Sequence, residues 1–136
     1  EKFDVIVGHF SIYTISSREK RLKGLLSLKA LMKPQGILIL VNPSIKYDRD
    51  LIIKESIRLV RERYGLKVSL IKQVLIYPFT KFMGLRFIQR QLKVREWKAY
   101  TQDELLFEMK EAGFVAQHIE ELYAGCAYLA IGKLPA

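Results

Sequence analysis

The segment Gly36-Ile37-Leu38-Ile39-Leu40-Val41, followed by Asn42-Pro43-Ser44, decides the fold of this chain. An apolar run without polar alternation is typical of a strand buried on both faces, as in a parallel sheet covered by helices. Open α/β sheets bind their ligands beyond the carboxyl ends of such strands. We therefore expect an α/β fold in which residues 42–44 lie beside a ligand site.

The residues before this strand complete a strand–helix–strand unit. Residues 3–7, Phe-Asp-Val-Ile-Val, have the β-branched composition of a strand, and Gly8 ends it. A helix is predicted to begin at Ser16 or the next residue, because Ser16 and Glu19 have the spacing of a capping box, and to end before Pro34. A crossover of this length predicts that the two strands run parallel.

The end of the chain returns to the same α/β pattern. Thr101-Gln-Asp-Glu104 is a second capping-box pattern, and it opens a helix that Gly113 closes. Residues 114–122 and 127–131 are then predicted to be strands, joined by Tyr123-Ala-Gly125. Because the connection is so short, we expect these two strands to form an antiparallel hairpin.

Residues 45–98 differ from the rest in charge. The chain carries a formal net charge of +9, and between Ile45 and Lys98 there are 14 Lys or Arg against 5 Asp or Glu. Outside that segment the counts are 9 and 9, so the whole surplus lies in one segment. A confined surplus indicates one charged face or one inserted element rather than general basicity.

This segment, which we call the insert, is predicted to be mainly helical. Apolar residues recur at helical spacing up to Tyr64, and Gly65 is a plausible end for that helix. Residues 66–77 fit a helix or, over their last four residues, a strand; we expect a helix that Pro78 ends. Residues 79–94 are predicted to form a further helix with an apolar stripe edged by Arg86 and other basic residues.

The totals limit the class of protein. A chain of 136 residues can form one domain with a real core, and no apolar run approaches the ~20 residues of a spanning helix. The single cysteine, Cys126, fits a reducing compartment, so we expect a cytoplasmic location. Glu1 lies two residues before a strand, and we expect the chain to be part of a longer protein.

The order strand, helix, strand, insert, helix, hairpin resembles the C-terminal half of a class I S-adenosylmethionine-dependent methyltransferase. Residues 3–7 look like the fourth strand of that family. Leu31-Met-Lys-Pro-Gln-Gly-Ile-Leu38 is similar to its Leu-Lys-Pro-Gly-Gly junction, with Gln35 in place of the first glycine. Lys110-Glu-Ala-Gly-Phe114 is similar to the end of its last helix and the start of its sixth strand.

The likeness covers about residues 2–44 and 99–134 and implies a Rossmann-like sheet of strands 4 to 7 with the insert added. It implies one partial domain, with a core of residues 1–44 and 99–136 and the insert at 45–98. It also implies that the first three strands lie upstream of Glu1, with the glycine-rich loop and the acidic residue that hold the cofactor, S-adenosylmethionine. No G-x-G cluster follows a strand here, so the chain alone is expected to be inactive.

By the same resemblance, Gly8, His9 and Phe10 follow the fourth strand and would pass beside the methionine end of the cofactor. His9 is also a candidate base, since an imidazole can take up a proton near neutral pH, or a loop residue that only caps backbone groups.

Three other residues are candidates for binding the substrate. Tyr13 is expected to line the acceptor pocket or to anchor its loop on the core. Asn42 lies at a ligand-binding strand end, where turn chemistry is the alternative explanation. Arg86 lies in the insert, which the resemblance implies would form a lid over the substrate. No catalytic residue and no metal site can be assembled; His118 and Glu120 are too few ligands for a metal.

The insert leaves three kinds of partner open besides an ordinary solvated surface. It can cover a small-molecule or lipid-like acceptor, contact an anionic membrane through residues 79–95, or bind RNA through its basic and aromatic side chains. We expect methyl transfer to a small-molecule or lipid-like acceptor. The alternatives are a non-enzymatic α/β interaction module and a methyltransferase acting on RNA.

Overall fold

The computed structural model describes all 136 residues and contains a single four-stranded sheet. The strands are β1 (Phe3–His9), β2 (Met32–Pro43), β3 (Val115–Leu122) and β4 (Ala127–Lys133). The α-helices are α1 (Arg18–Ala30), α2 (Arg49–Ile71), α3 (Tyr77–Thr80), α4 (Arg86–Lys93) and α5 (Gln102–Glu111). A 3₁₀ turn spans Ile12–Thr14, and π-helical turns span Lys72–Ile76 and Lys81–Leu85.

The strand order is β1-β2-β4-β3, so β2 lies between β1 and β4. β1 and β2 are parallel and joined by α1, with Val5 opposite Ile37 and Val7 opposite Ile39. β4 runs antiparallel to β2 and to β3. The predicted parallel crossover unit and antiparallel hairpin are therefore both confirmed, as is the mixed α/β fold with a mainly helical insert.

β2 is longer than the predicted strand because its pairing with β1 begins early. Phe3 pairs with Met32, and the register then shifts before Val5 pairs with Ile37. Gln35 takes a positive φ of 63° within this irregular stretch. The helix before it begins after Ser17, whose side chain accepts a hydrogen bond from the Lys20 amide, so the prediction of Ser16 as the cap is wrong by one residue.

The core lies on one face of the sheet. Side chains alternate between faces along a strand, so Leu38 and Leu40 of β2 point the same way, and both are fully buried. They belong to one cluster with Leu25 of α1 and with Leu105 and Met109 of α5. The opposite face is more open.

The open face is clearest at β1, which is an edge strand of the sheet. Val5 and Val7 are 49% and 63% exposed, although valines of a covered sheet are normally buried. They lie opposite Ile37 and Ile39 of β2, which are only half-buried. One apolar face of the sheet is thus left without a helical layer over its β1 edge.

A buried ion pair joins α1 to α5. Nη2 of Arg21 lies 2.7 Å from Oε1 of Glu108, and the Tyr100 hydroxyl donates to the other carboxylate oxygen at 2.8 Å. Burial disfavours the guanidinium charge, but the hydrogen bonds to Glu108 outweigh it and raise the pKa of Arg21. Burial also raises the pKa of Tyr100. Sequence periodicity alone did not predict this polar network inside the core.

The insert is a chain of helices interrupted at one glycine. Asp48 caps α2 by accepting hydrogen bonds from the amides of Asp50 and Leu51. Gly65 leaves the helical conformation at φ 84° and ψ 176°, which confirms the predicted break. Pro78, however, does not end the helical path, so that prediction is wrong. A wide π-helical turn precedes it, in which the Tyr77 amide donates to the Lys72 carbonyl, and this relieves the clash between the proline ring and the preceding turn.

None of these helices is both long and apolar enough to cross a membrane.

Candidate functional site

A cavity of about 380 Å³ lies where the carboxyl end of β1 meets the insert. This volume falls in the range of small-molecule sites, roughly 300–1,000 Å³. The walls come from four parts of the chain: the end of β1, the first helix of the insert with the loop before it, the segment entering α4, and the β3–β4 turn. The lining residues are His9, Phe10, Tyr47, Ile52, Leu85, Ile88 and Tyr123.

Gly8 and Phe10 shape the entry of the chain into this site. A Cβ atom on Gly8 would lie 2.8 Å from Oγ of Ser11 and 2.9 Å from a methyl carbon of Leu40, so a side chain there would require these neighbours to move. Phe10 has a positive φ of 47°, and its amide donates to the Val41 carbonyl at 2.8 Å. The strand therefore ends abruptly and presents His9 and Phe10 to the cavity.

His9 is paired with a residue from the hairpin turn. Its Nε2 lies 3.2 Å from the hydroxyl oxygen of Tyr123, and the two groups share a hydrogen bond whose direction the imidazole tautomer sets. Tyr123, Ala124 and Gly125 all have positive φ, at 53°, 57° and 82°. This tight turn brings the phenol to the carboxyl end of β1, and the Phe10 ring lies beside it with centroids 6.1 Å apart.

Tyr13 supports the cavity wall from behind. It is 3% exposed and does not line the cavity, but its ring meets those of Phe10 and Trp97 edge-on, with centroids 5.7 Å and 5.2 Å apart. Its carbonyl accepts a hydrogen bond from the Lys98 amide at 2.8 Å. Tyr13 therefore fixes the place where the insert rejoins the sheet. Burial raises the pKa of its phenol.

Two side chains near the strand end have buried polar atoms that find no hydrogen-bond partner within the protein. Asn42 of β2 is fully buried, and neither atom of its amide group is paired. Tyr47 lines the cavity, and its hydroxyl is also unpaired; burial raises its pKa. Unpaired buried polar groups are rare in native proteins and mark ligand or water sites. Of the two, only Tyr47 lines the cavity itself.

Arg86 is not brought together with the other candidate residues. Its guanidinium carbon lies 5.9 Å above the Phe82 ring, on an exposed part of the insert. Its neighbours Leu85 and Ile88 line the cavity instead. Both belong to the apolar stripe predicted for this helix. Their helical spacing therefore indicated a packed face but did not indicate that they line a cavity.

The cavity is suited to an apolar molecule with one polar group. Its lining contains no carboxylate and no ammonium or guanidinium group, and its polar groups are one imidazole and two phenols. No cluster of potential ligands in the chain could hold a metal ion. Gly8, His9 and Phe10 lie together at the carboxyl end of β1, where His9 and Phe10 form part of the cavity wall.

Comparison with solved structures shows the same fold in methyltransferases. An O-methyltransferase family protein from Burkholderia thailandensis aligns with a TM-score of 0.55 at 14% identity, over 99% of this chain and 31% of that one. A SAM-dependent methyltransferase from Methanosarcina mazei aligns with a TM-score of 0.54 at 17% identity, over 98% and 60%. A possible exported protein from Bordetella parapertussis gives a TM-score of 0.61 at 14% identity, over 100% and 40%.

At these identities the likeness shows the fold alone, which is a methyltransferase-like α/β fold. The chain spans between 31% and 60% of the two methyltransferases described. A scan of protein-family models finds no match to the sequence, and a search of curated proteins finds none either.

Proposed function

We propose that this chain forms the acceptor-binding side of an S-adenosylmethionine-dependent methyltransferase whose acceptor is a small, largely apolar or lipid-like molecule. The observation that carries the proposal is the 380 Å³ apolar cavity at the carboxyl end of β1, with an imidazole and two phenols in its lining. Open α/β sheets bind ligands at this end, and methyltransferases share the fold.

The acceptor would be an alcohol or phenol held with its hydroxyl near His9. Ring faces of Phe10 and the side chains of Ile52, Leu85 and Ile88 would contact its apolar part. His9 would accept the hydroxyl proton on Nδ1 as the oxygen forms its bond to carbon. Tyr123 would hold the imidazole in place by accepting a hydrogen bond from its Nε2–H across the 3.2 Å contact. When bound, S-adenosylmethionine would supply an electrophilic methyl group, and its sulfur would leave as a neutral thioether.

The remainder of the cofactor site would come from protein that covers the open face of the sheet. β1 is an edge strand, and its residues Val5 and Val7 are 49% and 63% exposed. An uncovered apolar edge of this kind is suited to a further strand and helix. In this arrangement Gly8, His9 and Phe10 would lie between the cofactor and the acceptor, and the chain alone would be inactive.

The test is methyl transfer by the full-length protein, measured as tritium moved from labelled S-adenosylmethionine into an extract of small molecules and lipids. Ile52→Trp should fill the cavity and raise KM or abolish transfer. Leu51→Trp is the matched control, because Leu51 is 43% exposed and does not line the cavity. His9→Ala should lower kcat roughly 10²-fold or more if the imidazole is the base, with a changed dependence of rate on pH.

Equal rates for Ile52→Trp and Leu51→Trp would show that the acceptor does not bind in the cavity. A full-length protein that binds no S-adenosylmethionine in calorimetry would overturn the enzymatic proposal and favour a non-enzymatic interaction module.

A further inference from the structure

The insert has a second apolar face that the cavity does not use. Leu85 and Ile88 point to the cavity, whereas other apolar side chains of the same helices are exposed to solvent. We call this set the exposed apolar stripe; its members are 48% to 71% exposed. They are Ile71, Val74, Leu75, Ile76, Phe79, Phe82, Met83 and Phe87.

The stripe is continuous along the helical path. Ile71, Leu75, Phe79, Phe82 and Phe87 follow one another at steps of three to five residues, which keeps them on one side of a helix containing wide turns. A helix that is apolar on two sides is normally covered on both. Here one side packs toward the sheet and the other is open, so the stripe is free to contact a partner.

The charges around the stripe are basic and favour an anionic partner. From Arg63 to Arg95 the sequence contains eight Lys or Arg and no Asp or Glu. Lys81 pairs with Asp50, whereas Arg86, Arg90 and Lys93 are exposed beside the stripe and make no ion pair. Docking two copies of this face on each other would bring like charges together.

We infer that the exposed apolar stripe docks on an anionic lipid surface. Basic side chains around Phe, Leu and Met residues are the composition of helices that lie in the headgroup region of a bilayer. The most exposed residues, Val74, Leu75 and Phe79, offer no hydrogen-bond donor or acceptor to the phosphates of a nucleic acid. Their side chains would enter the boundary between headgroups and acyl chains, with the arginines at the phosphates.

This contact would place the cavity near the membrane. Leu85 and Ile88 of the cavity wall alternate along the chain with Phe82 and Phe87 of the stripe. An apolar acceptor dissolved in the bilayer would thus have a short path to His9. The membrane contact itself does not depend on the chemistry in the cavity, and it can be tested without any acceptor.

The experiment is sedimentation of the full-length protein with vesicles made of equal parts phosphatidylcholine and phosphatidylglycerol, against vesicles of phosphatidylcholine alone. The protein should sediment with the anionic vesicles and much less with the neutral ones. Each basic residue near an anionic surface contributes about 1 kcal/mol, or about fivefold, so Arg86→Glu with Arg90→Glu should lower the partition coefficient at least ~30-fold.

Two further variants separate charge from apolar contact. Lys2→Glu with Lys20→Glu makes the same change in net charge at exposed sites away from the insert, and binding should remain close to that of the wild type. Phe79→Ser with Phe82→Ser keeps every charge but removes two side chains of the stripe, and binding should fall.

Several results would overturn the membrane contact. They are equal sedimentation of the wild type and the arginine variant, an equal loss in the lysine control, or no sedimentation of the full-length protein. In the last case, a concentration-dependent dimer that Phe79→Ser with Phe82→Ser dissociates would assign the stripe to a second copy. Tight binding of a short RNA with a steep salt dependence, without vesicle binding, would assign it to nucleic acid.

Discussion

The sheet core and the insert contain apolar residues in similar abundance but bury them very differently. Of the 26 buried residues in the chain, only Ser69 lies within residues 45–98. The core buries its side chains between one sheet face and two helices of the same chain. The insert leaves Phe79, Phe82 and Met83 more than 60% exposed. The core is thus stabilised by its own contacts, whereas the insert leaves most of its apolar side chains in contact with solvent.

The largest contrast should come from breaking ion pairs in the two regions. Arg21→Ala leaves the carboxylate of Glu108 buried without its partner, and we expect a loss of about 3–5 kcal/mol in the free energy of unfolding. Arg58→Ala removes an arginine that also contacts two carboxylates, those of Glu55 and Glu62, but on an exposed helix. That change should leave the unfolding midpoint in urea almost unmoved.

A similar midpoint shift for both variants would mean that the two regions do not differ as described. Arg21→Met combined with Glu108→Leu should recover part of the lost stability, because it removes both charges together.

Truncating one leucine in each region tests the same difference between core and insert without changing any charge. Leu38→Ala empties a fully buried position in the centre of the sheet, and we expect a cost of about 2–5 kcal/mol. Leu75→Ala removes the same atoms from a side chain that is 70% exposed, and the change should lie within ~0.5 kcal/mol. Urea unfolding followed by tryptophan fluorescence measures both. A large loss for Leu75→Ala would show that the stripe is packed within the protein.

Gly65→Ala tests whether the insert behaves as a local unit. At φ 84° and ψ 176° an alanine is strained by about 1–3 kcal/mol, and a Cβ atom there would meet nothing within 4 Å. The cost should therefore appear as faster amide exchange in α2 and α4, with β2 and β4 unchanged. Exchange that accelerates equally in the sheet would show that the insert and core unfold as one.

The smallest expected effect concerns the capping box that begins α5. Partial burial opposes ionisation of Glu104, but the Lys98 ammonium and the Thr101 amide outweigh it and lower its pKa. Because the folded pKa lies below the unfolded one, the carboxylate stabilises the protein above its ordinary pKa and loses this contribution as the pH falls through the folded value. Glu104→Gln should cost about 0.5–1 kcal/mol at neutral pH and less in acid. An effect independent of pH would contradict this assignment.

Sequence periodicity was sufficient for the framework of the core. The apolar run at β2, the two predicted strand pairs and the break at Gly65 depend on local signals that act within a few residues. The Arg21–Glu108 pair spans 87 positions, and a long-range polar contact leaves no periodic trace. Pro78 was misjudged because the wide turn that accommodates it has no sequence signature.

The candidate site could be predicted only in part, because some of its residues meet through long-range contacts that local sequence signals do not reveal. His9 and Phe10 follow a predicted strand end, so their place at the cavity follows from topology. Tyr123 reaches His9 through a tight hairpin turn with three positive φ angles. Only the one at Gly125 could be expected from the sequence, because glycine is the residue type that commonly adopts positive φ. Tyr47 and Ile52 approach from the insert, whose angle to the sheet depends on packing rather than local propensity.

Amide hydrogen exchange of the full-length protein, read by mass spectrometry with and without anionic vesicles, tests the division between core and insert most directly. Residues 36–42 and 127–133 should be strongly protected in both conditions, because they pair in the centre of the sheet. Residues 66–93 should exchange quickly in buffer and become protected when vesicles are added. Protection of 66–93 equal to that of the sheet in buffer alone, and unchanged by vesicles, would contradict the account.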